Sequence, residues 1–258
     1  MNVNLSIITV VLNDRIGIER TYKSLVNYLK IPFEWIVVDG VSTDGTLEYM
    51  YSISPEFKCD ITSEQDNGLY DAMNKGIKKA SGNYLLFLNA GDYINDSNEL
   101  DNLIDEKAEI LVFNIDTVDA ELKPSKYRSF KSSGKYLARY PSVPHQSTLI
   151  HRRVFKKIGF YDLNFKYLAD YDFFCKAYSK KISFRFFPNN KLSVFVQNGV
   201  STDLANIEVF KKESIYIQKK YFGKVYYMWI LELNIKSILS ILPNSNKFIH
   251  VLREKMFN

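Results

Sequence analysis

Apolar runs that end in polar side chains alternate with helix-period segments through the first third of the sequence. The runs LSIITVVL, EWIVVD and NYLLFL are aliphatic and β-branched, and they end at Asn13, Asp39 and the segment 89–92. Between them, residues 18–29 and 70–80 repeat apolar side chains every three or four positions, as one face of a helix does. Strands that are apolar on both faces predict an α/β fold with a mostly parallel central sheet flanked by helices. Ligands bind such sheets beyond the carboxyl ends of the strands.

Composition and charge exclude several classes of partner. The chain has 258 residues, 46% of them hydrophobic, and a net charge of +5. Its basic residues are mixed with acidic ones through the first two thirds, so we expect no nucleic-acid partner. Cys59 and Cys175 are the only cysteines, and they lie far apart with no second pair or His cluster at metal-ligand spacing. Neither a disulfide scaffold nor a zinc site is therefore indicated, which fits a reducing cytoplasm. No run approaches the roughly 20 apolar residues that span a bilayer, and the first run lacks the features of a signal peptide.

The remaining sequence predicts further elements and a helical end. Residues 109–118 and 182–187 read as strands, residues 153–158 and 170–180 as helices, and residues 123–135 as a mobile polar loop. From residue 206 onward the pattern is helical, aromatic and basic. We therefore expect a catalytic domain over residues 1–204 and a helical C-terminal extension over residues 205–258.

Two carboxylates at strand ends are the first candidates for ligand binding. Asp39 can accept hydrogen bonds from a ribose hydroxyl or a base N–H, although Asp39 and Asp44 can equally cap turns and the next helix. Neither GxxxxGK[ST] nor GxGxxG follows the first strand, so a phosphate here needs another counter-charge. Asp92 can supply it by holding Mg²⁺ or Mn²⁺, hard cations that take one or two carboxylates and fill their shell with phosphate oxygens and water. The alternative for Asp92 is a plain turn residue.

Four segments resemble a known family in their order and spacing. They are SIITVVLND, IVVDGVSTDGT, EQDNGLYDAMNKGIKKASGNYLLFLNAGD and PHQSTLIHRRVFKKIGFYDLNFKYLADYDF, and together they cover roughly residues 4 to 200. This pattern resembles the inverting glycosyltransferases of family 2, which have the Rossmann-like GT-A fold. The resemblance is greatest to bacterial members that build capsule, lipopolysaccharide O-antigen or exopolysaccharide. It implies a nucleotide-sugar-binding half over residues 1–95 and an acceptor-binding half over residues 96–204.

The resemblance also implies a donor site in the first half. Its expected members are Thr9, Val10 and Asn13 lining the nucleotide pocket, Asp39 on the nucleoside, Asp66 near the base, Asn74 on the base or phosphate, and Asn89 beside the metal ligand Asp92. Met73 stands where the family often has Arg, so a charge is missing there. Asn89-Ala90-Gly91-Asp92 stands where the family has Asp-x-Asp, so expected carboxylates are missing as well.

The catalytic base implied by the resemblance lies in LADYDFF. We predict that Asp170, with Asp172 behind it, accepts the proton of the acceptor hydroxyl as that oxygen attacks the anomeric carbon. An N-cap of the following helix is the alternative role for Asp170. His145 follows two prolines in PSVPHQ and is predicted to bind the donor phosphate or the acceptor, with a structural histidine as the alternative. The segment 198–203 resembles the part of the family that closes over the site.

The resemblance implies a glycosyltransferase that uses a nucleotide-sugar donor, commonly UDP-linked in this family, and a glycan acceptor on a polyprenyl diphosphate lipid. The C-terminal helices can lie in a bilayer interface, which would place a peripheral enzyme at the inner face of the plasma membrane. They can equally pack on the catalytic domain or on a second subunit of a homodimer. A degenerate family member that acts as a binding or scaffold subunit is the alternative function. A nucleotidyltransferase would need a Gly-rich basic loop after the first strand, where only Arg15 and Gly17 occur.

Overall fold

A single sheet of eight strands forms the centre of the described structure. The computed structural model describes residues 5–54, 57–95, 100, 108–125, 137–197 and 206–239, with side chains in the last range given through 223 and at 227. The strands are β1 (Leu5–Val11), β2 (Phe33–Asp39), β3 (Cys59–Ser63), β4 (Tyr84–Phe87), β5 (Tyr93–Ile94), β6 (Ile110–Asp119), β7 (Thr148–His151) and β8 (Phe184–Gln197). Their order across the sheet is β3-β2-β1-β4-β7-β6-β8-β5.

The sheet joins a parallel half to a mixed half. Strands β3, β2, β1 and β4 run parallel to one another. Strand β7 is antiparallel to both β4 and β6, β6 and β8 are parallel, and β5 is antiparallel to β8. The parallel half carries the predicted strand ends at Asp39 and residues 89–92, so those polar residues share one edge of the sheet.

Six described helices accompany the sheet. They are α1 (Arg15–Tyr28), α2 (Thr46–Ile53), α3 (Leu69–Lys79), α4 (Arg152–Ile158), α5 (Ala169–Ser179) and α6 (Ile207–Leu239), and a 3₁₀ turn spans His145–Ser147. Helix α6 contains a kink at Gly223, whose φ of 31° and ψ of −100° are not helical. Among the described residues, no helix has both the length and the apolar character needed to cross a membrane.

The core lies on both faces of the sheet because the buried strands are apolar on both faces. Along β1, Leu5 and Ile7 belong to one cluster with Trp35, while Ile8 and Val10 belong to the other. This alternation follows from the two-residue period of a strand. Helices α1 and α2 pack on the first face, and α3, α4 and α5 pack on the second.

The structure confirms the α/β fold class and refines the predicted elements. Strand β4 is shorter than its apolar run suggested, and β8 extends ten residues beyond the predicted end at Phe187. The sequence analysis missed β3 and β7. CDITS of β3 is an edge strand of mixed polarity, and TLIH of β7 has only four residues, so neither shows a clear strand pattern. Most of the predicted loop 123–135, the segment 198–203 and the chain after residue 239 lie outside the described residues.

Candidate active site

The carboxylate of Asp39 organises the turn after β2. Asp39 is fully buried, and its Oδ2 accepts hydrogen bonds from the backbone N–H of Val41 at 3.1 Å, that of Ser42 at 3.1 Å and the hydroxyl of Ser63 at 2.6 Å. Val41 has a φ of 68°, an uncommon conformation for a β-branched residue that costs free energy. The hydrogen bonds to Asp39 therefore hold a strained turn at the edge where a nucleoside is predicted to bind. That contact stays a prediction.

Hydrogen bonds join the loop after β1 to the loop after β2. Asn13 has a φ of 51°, its N–H donates to Ser42 Oγ at 2.8 Å, and its Oδ1 accepts from the N–H of Thr43 at 2.8 Å. Asp66 lies beside Gly40, where an added Cβ would come within 2.9 Å of the Asp66 carboxylate. The predicted donor residues Asn13, Asp39 and Asp66 are thus brought to one edge of the sheet.

Three other predicted donor residues, Thr9, Val10 and Asn74, are buried inside the protein. Thr9 is fully buried, and its hydroxyl accepts a hydrogen bond from the indole N–H of Trp35 at 2.9 Å. Its neighbour Val10 packs in the core on the opposite face. The amide of Asn74 donates to the carbonyl of Tyr161 at 2.9 Å and accepts from the N–H of the same residue at 3.0 Å. Contacts of Thr9 with a donor would have to come from its backbone, and those of Asn74 would require it to leave Tyr161.

Asp170 lies in the first turn of α5 and is hydrogen-bonded through both carboxylate oxygens. Its Oδ1 accepts from the hydroxyl of Tyr70 at 2.9 Å and from the N–H of Tyr171 at 2.8 Å. Its Oδ2 is 2.9 Å from Nδ1 of His145, which must carry a proton there because an ionised carboxylate only accepts. Leu168 is the residue at the N-cap position, so Asp170 is inside the helix.

His145 lies between the two halves of the candidate site. Its ring bonds to Asp170 through Nδ1, while its Nε2 is buried and has no hydrogen-bond partner among the described residues. Asp92 is only 3% exposed, and burial raises the pKa of its carboxyl to about 7. The Val196 N–H, the charge of His145 and the Gln146 side chain each oppose that rise in the pKa. His145 is therefore hydrogen-bonded to Asp170, and its charge also acts on the carboxyl of Asp92.

The comparison with known families identifies the family of the chain. Residues 6–183 match the sequence model of Glycosyl transferase family 2. The chain belongs to this family. It is therefore a glycosyltransferase, and its eight-stranded sheet with flanking helices is the GT-A fold found in this group of enzymes.

Relatives within the family come from bacteria. An uncharacterized glycosyltransferase of Mycobacterium tuberculosis is 34% identical over 183 residues, which are 67% of this chain and 68% of that protein. A PGL/p-HBAD biosynthesis glycosyltransferase of Mycobacterium bovis is 32% identical over 152 residues, 57% of this chain and 59% of that protein. These matches support the family assignment.

Solved structures share the fold at low identity. TarS of S. aureus in complex with UDP-GlcNAc gives a TM-score of 0.63 at 21% identity, covering 76% of this chain and 59% of that one. A mannosyltransferase from Pyrobaculum calidifontis in complex with GDP-Man and Mn²⁺ gives 0.61 at 14% identity, covering 84% and 63%. This chain thus spans less than two thirds of either neighbour, and the likeness shows the GT-A fold alone.

Enzymes of this glycosyltransferase family commonly use a divalent cation, and the residues around Asp92 are the candidates for its ligands. In the described part of the chain, no three His, Cys, Asp or Glu side chains cluster as metal ligands. Asp92 offers one carboxylate, whose Oδ1 now accepts from the N–H of Val196 at 3.1 Å. Asn89 offers a buried Oδ1 that has no hydrogen-bond partner among the described residues. Both are hard oxygen donors, and Mg²⁺ or Mn²⁺ can be held by so few protein ligands when substrate phosphates complete the shell.

The structure adds residues that sequence reasoning missed. Tyr70 is 4% exposed and reaches Asp170 from α3, although its position looks like an ordinary core position of an amphipathic helix. Gln146 follows His145 in PSVPHQ, and its side chain lies near enough to Asp92 to lower the pKa of that carboxyl. Glu213 contacts the segment before Asp170 from α6. These residues have no motif of their own, because they act through contacts between segments that are distant in sequence.

Proposed function

We propose that this glycosyltransferase moves a sugar from a nucleotide-sugar donor, most simply a UDP-sugar, to a hydroxyl of a glycan acceptor with inversion at the anomeric carbon. The observation that supports the proposal is that His145 is hydrogen-bonded to Asp170 and lies near enough to Asp92 for its charge to lower the pKa of that carboxyl. Asp170 supplies a base on the acceptor side, and Asp92 lies at the end of β4 on the donor side. One cleft can therefore serve proton transfer and departure of the diphosphate.

The hydrogen bonds of Asp170 indicate which of its oxygens acts as the base. A carboxylate has about four lone-pair positions, two on each oxygen. Oδ1 uses its positions on Tyr70 and on the N–H of Tyr171, whereas Oδ2 has His145 as its partner. We assign the acceptor proton to Oδ2. As it transfers, the acceptor oxygen bonds to the anomeric carbon, the sugar–phosphate bond breaks on the opposite face, and the nucleoside diphosphate leaves with the electron pair.

The proposed cation is Mg²⁺ or Mn²⁺, with Asp92 and Asn89 as its protein ligands. When bound, it would stabilise the negative charge that develops on the departing diphosphate. The unpartnered Asn89 Oδ1 and the buried Asp92 carboxylate support this assignment, as both are oxygen donors short of compensating charge or hydrogen bonds.

The proposed biological role is the synthesis of a cell-surface glycan on a polyprenyl diphosphate lipid. Supporting relatives include the mycobacterial PGL/p-HBAD biosynthesis enzyme and a putative teichuronic acid biosynthesis glycosyltransferase of Bacillus subtilis, 34% identical over 90 residues. The aromatic and basic sequence after residue 220 supports peripheral contact with the inner face of the plasma membrane, or pairing in a homodimer, as a further part of the proposal.

The test is a donor-hydrolysis screen, in which water replaces the acceptor. Purified protein is incubated with Mn²⁺ and each of UDP-glucose, UDP-galactose, UDP-N-acetylglucosamine, GDP-mannose and dTDP-rhamnose, and release of the nucleoside diphosphate is measured. We expect one donor to be hydrolysed fastest. Asp170→Asn should lower that rate by roughly 10²- to 10⁴-fold, the usual contribution of a general base, while nucleotide binding by calorimetry is unchanged.

A matched control separates the base from a loss of surface charge. Glu121 is an exposed acid in an ion pair with Lys123, and Glu121→Gln should hydrolyse the donor at the wild-type rate. If Asp170→Asn also does so, Asp170 is not the base. If no donor binds under any condition, the protein is better described as a scaffold subunit.

A further inference from the structure

The segment before α5 is held from outside the family-matched region by one carboxylate. Glu213, on α6, accepts hydrogen bonds from three consecutive backbone N–H groups: that of Lys166 at 2.7 Å, that of Tyr167 at 3.0 Å and that of Leu168 at 2.9 Å. Hydrogen bonds to an ionised acceptor are about twice as strong as neutral ones. Glu213 therefore fixes the backbone that enters the helix bearing Asp170.

One peptide unit in this segment connects Glu213 to Asp170. The unit between Tyr167 and Leu168 donates its N–H to Glu213 and accepts a hydrogen bond at its carbonyl from the hydroxyl of Tyr70 at 2.7 Å. A peptide unit is planar, so fixing its N–H also fixes the direction of its carbonyl. Glu213 thereby sets where the carbonyl of Tyr167 meets the hydroxyl of Tyr70.

The hydroxyl of Tyr70 transmits this position to the carboxylate. Tyr70 has one hydroxyl proton and two acceptors within reach, the carbonyl of Tyr167 and Oδ1 of Asp170 at 2.9 Å. The placement of the carbonyl decides how that proton is shared, and with it the orientation and charge distribution of the Asp170 carboxylate. Helix α6, which carries Glu213, makes a second contact with α5, because Nζ of Lys220 lies 2.9 Å from Oδ1 of Asp172.

We propose that Glu213 is a positioning residue for Asp170, acting through the 167–168 peptide unit and the hydroxyl of Tyr70. The inference rests on the proposed role of Asp170 as the base. It makes the first turns of α6 part of the catalytic machinery, whereas the sequence predicted a separate extension from residue 205. Misplacement of a reacting group by about 1 Å can cost 10²-fold in rate, so loss of the Glu213 carboxylate should be visible in turnover.

The experiment is a double-mutant cycle between Glu213→Gln and Asp170→Asn. Release of nucleoside diphosphate is measured with the donor that wild type hydrolyses fastest in the five-donor screen. Glu213→Gln should lower kcat by roughly 10- to 100-fold and leave the donor KM within about twofold, since the donor side of the cleft is untouched. In the Asp170→Asn background the same change should slow turnover by no more than about twofold, because the group it positions has gone.

Two further variants complete the design. Tyr70→Phe keeps the ring and removes the hydroxyl, and it should reproduce the effect of Glu213→Gln on kcat; it also serves if Glu213→Gln does not fold. Glu208, exposed on the first turn of α6, provides the control, and Glu208→Gln should keep the wild-type kcat.

The outcomes distinguish this inference from the proposed function. A normal kcat for Glu213→Gln or for Tyr70→Phe, with Asp170→Asn impaired, overturns the positioning role and leaves Asp170 as the base. Equal slowing by Glu213→Gln in both backgrounds also overturns it, since Glu213 would then act independently of Asp170. A wild-type rate for Asp170→Asn overturns the proposed function itself.

Discussion

Burial of Asp92 has a measurable consequence for stability. The side chain is 3% exposed, and burial raises the pKa of its carboxyl to about 7, compared with about 3.9 in an unfolded chain. Between these two values the folded protein binds a proton that the unfolded chain does not. The contribution of Asp92 to the free energy of unfolding is therefore fully present below about pH 4. As the pH rises to about 7 this contribution is lost, at up to about 1.4 kcal/mol per pH unit.

We expect Asp92→Asn to remove this pH dependence, because the amide fills the same space without ionising. Urea unfolding of the two proteins in EDTA at pH 5, 6, 7 and 8 provides the measurement. The difference between them should favour the variant increasingly as the pH rises, and other titrating groups cancel in that difference. Parallel curves for the two proteins would show that Asp92 is not a buried titrating acid.

Sequence reasoning located strand-end residues well but could not assign their hydrogen bonds. Asn13, Asp39 and Asp92 follow apolar runs, and parallel pairing brings the ends of those runs to one edge. The side chains of Thr9 and Asn74 are instead bound to Trp35 and Tyr161. Those partners are 26 and 87 residues away, so no local pattern could reveal them.

At the scale of elements, helix α6 is joined to α5 by an ion pair that is partly shielded from water. Asp172 has a side chain 5% exposed, and that of Lys220 is 36% exposed. Burial lowers the pKa of the Lys220 ammonium and is the largest single effect, but the hydrogen bonds to Asp172 and Tyr221 and the charge of Asp172 together outweigh it, so the pKa is raised. Ile217 of α6 is fully buried in the same region. This half of the helix thus packs as part of the catalytic domain.

Lys220→Met should destabilise the protein because it leaves the Asp172 carboxylate buried without a counter-ion. Breaking a fully buried pair costs about 3–5 kcal/mol, and water reaches Lys220, so we expect about 1–3 kcal/mol. Chemical denaturation measures this loss, with Lys212→Met on the exposed face of α6 as the matched control. Adding Asp172→Asn to Lys220→Met should recover part of the loss. A Lys220→Met variant as stable as the control would mean that solvent already screens the pair.

The helices and strands β1, β2, β4, β6 and β8 could be foreseen from the sequence, since their apolar patterns are clear. The pairing of strands in the mixed half of the sheet could not. Strand β7 enters between β4 and β6 with only four residues, and its place depends on pairing with strands more than 30 residues away in sequence. The hydrogen bonds of α6 to the segment 166–168 likewise depend on Glu213, one of three acidic residues on the helix and part of no motif.

At the scale of the whole molecule, the candidate site depends on three parts of the chain meeting at one edge of the sheet. Asp39 and Asp92 come from the parallel half, and His145 and Asp170 come from the mixed half with α5. A ligand that contacts both halves binds the folded protein and not the unfolded chain, so it must stabilise the entire fold. This provides a test of nucleotide binding that needs neither the sugar nor the acceptor.

We expect UDP with Mn²⁺ to raise the Tm markedly, with GDP and dTDP as the alternatives. A ligand present at 100 times its Kd stabilises by about 2.7 kcal/mol, and a protein of this size gains roughly 2–4 °C per kcal/mol, which gives roughly 5–11 °C. If Asp92 and Asn89 hold the cation against the diphosphate, the shift with UDP and Mn²⁺ together should exceed the sum of the separate shifts. Asp92→Asn should abolish that excess and keep the shift with UDP alone. An additive response in wild type would contradict a shared metal and nucleotide site, and no response to any nucleotide would favour the scaffold role.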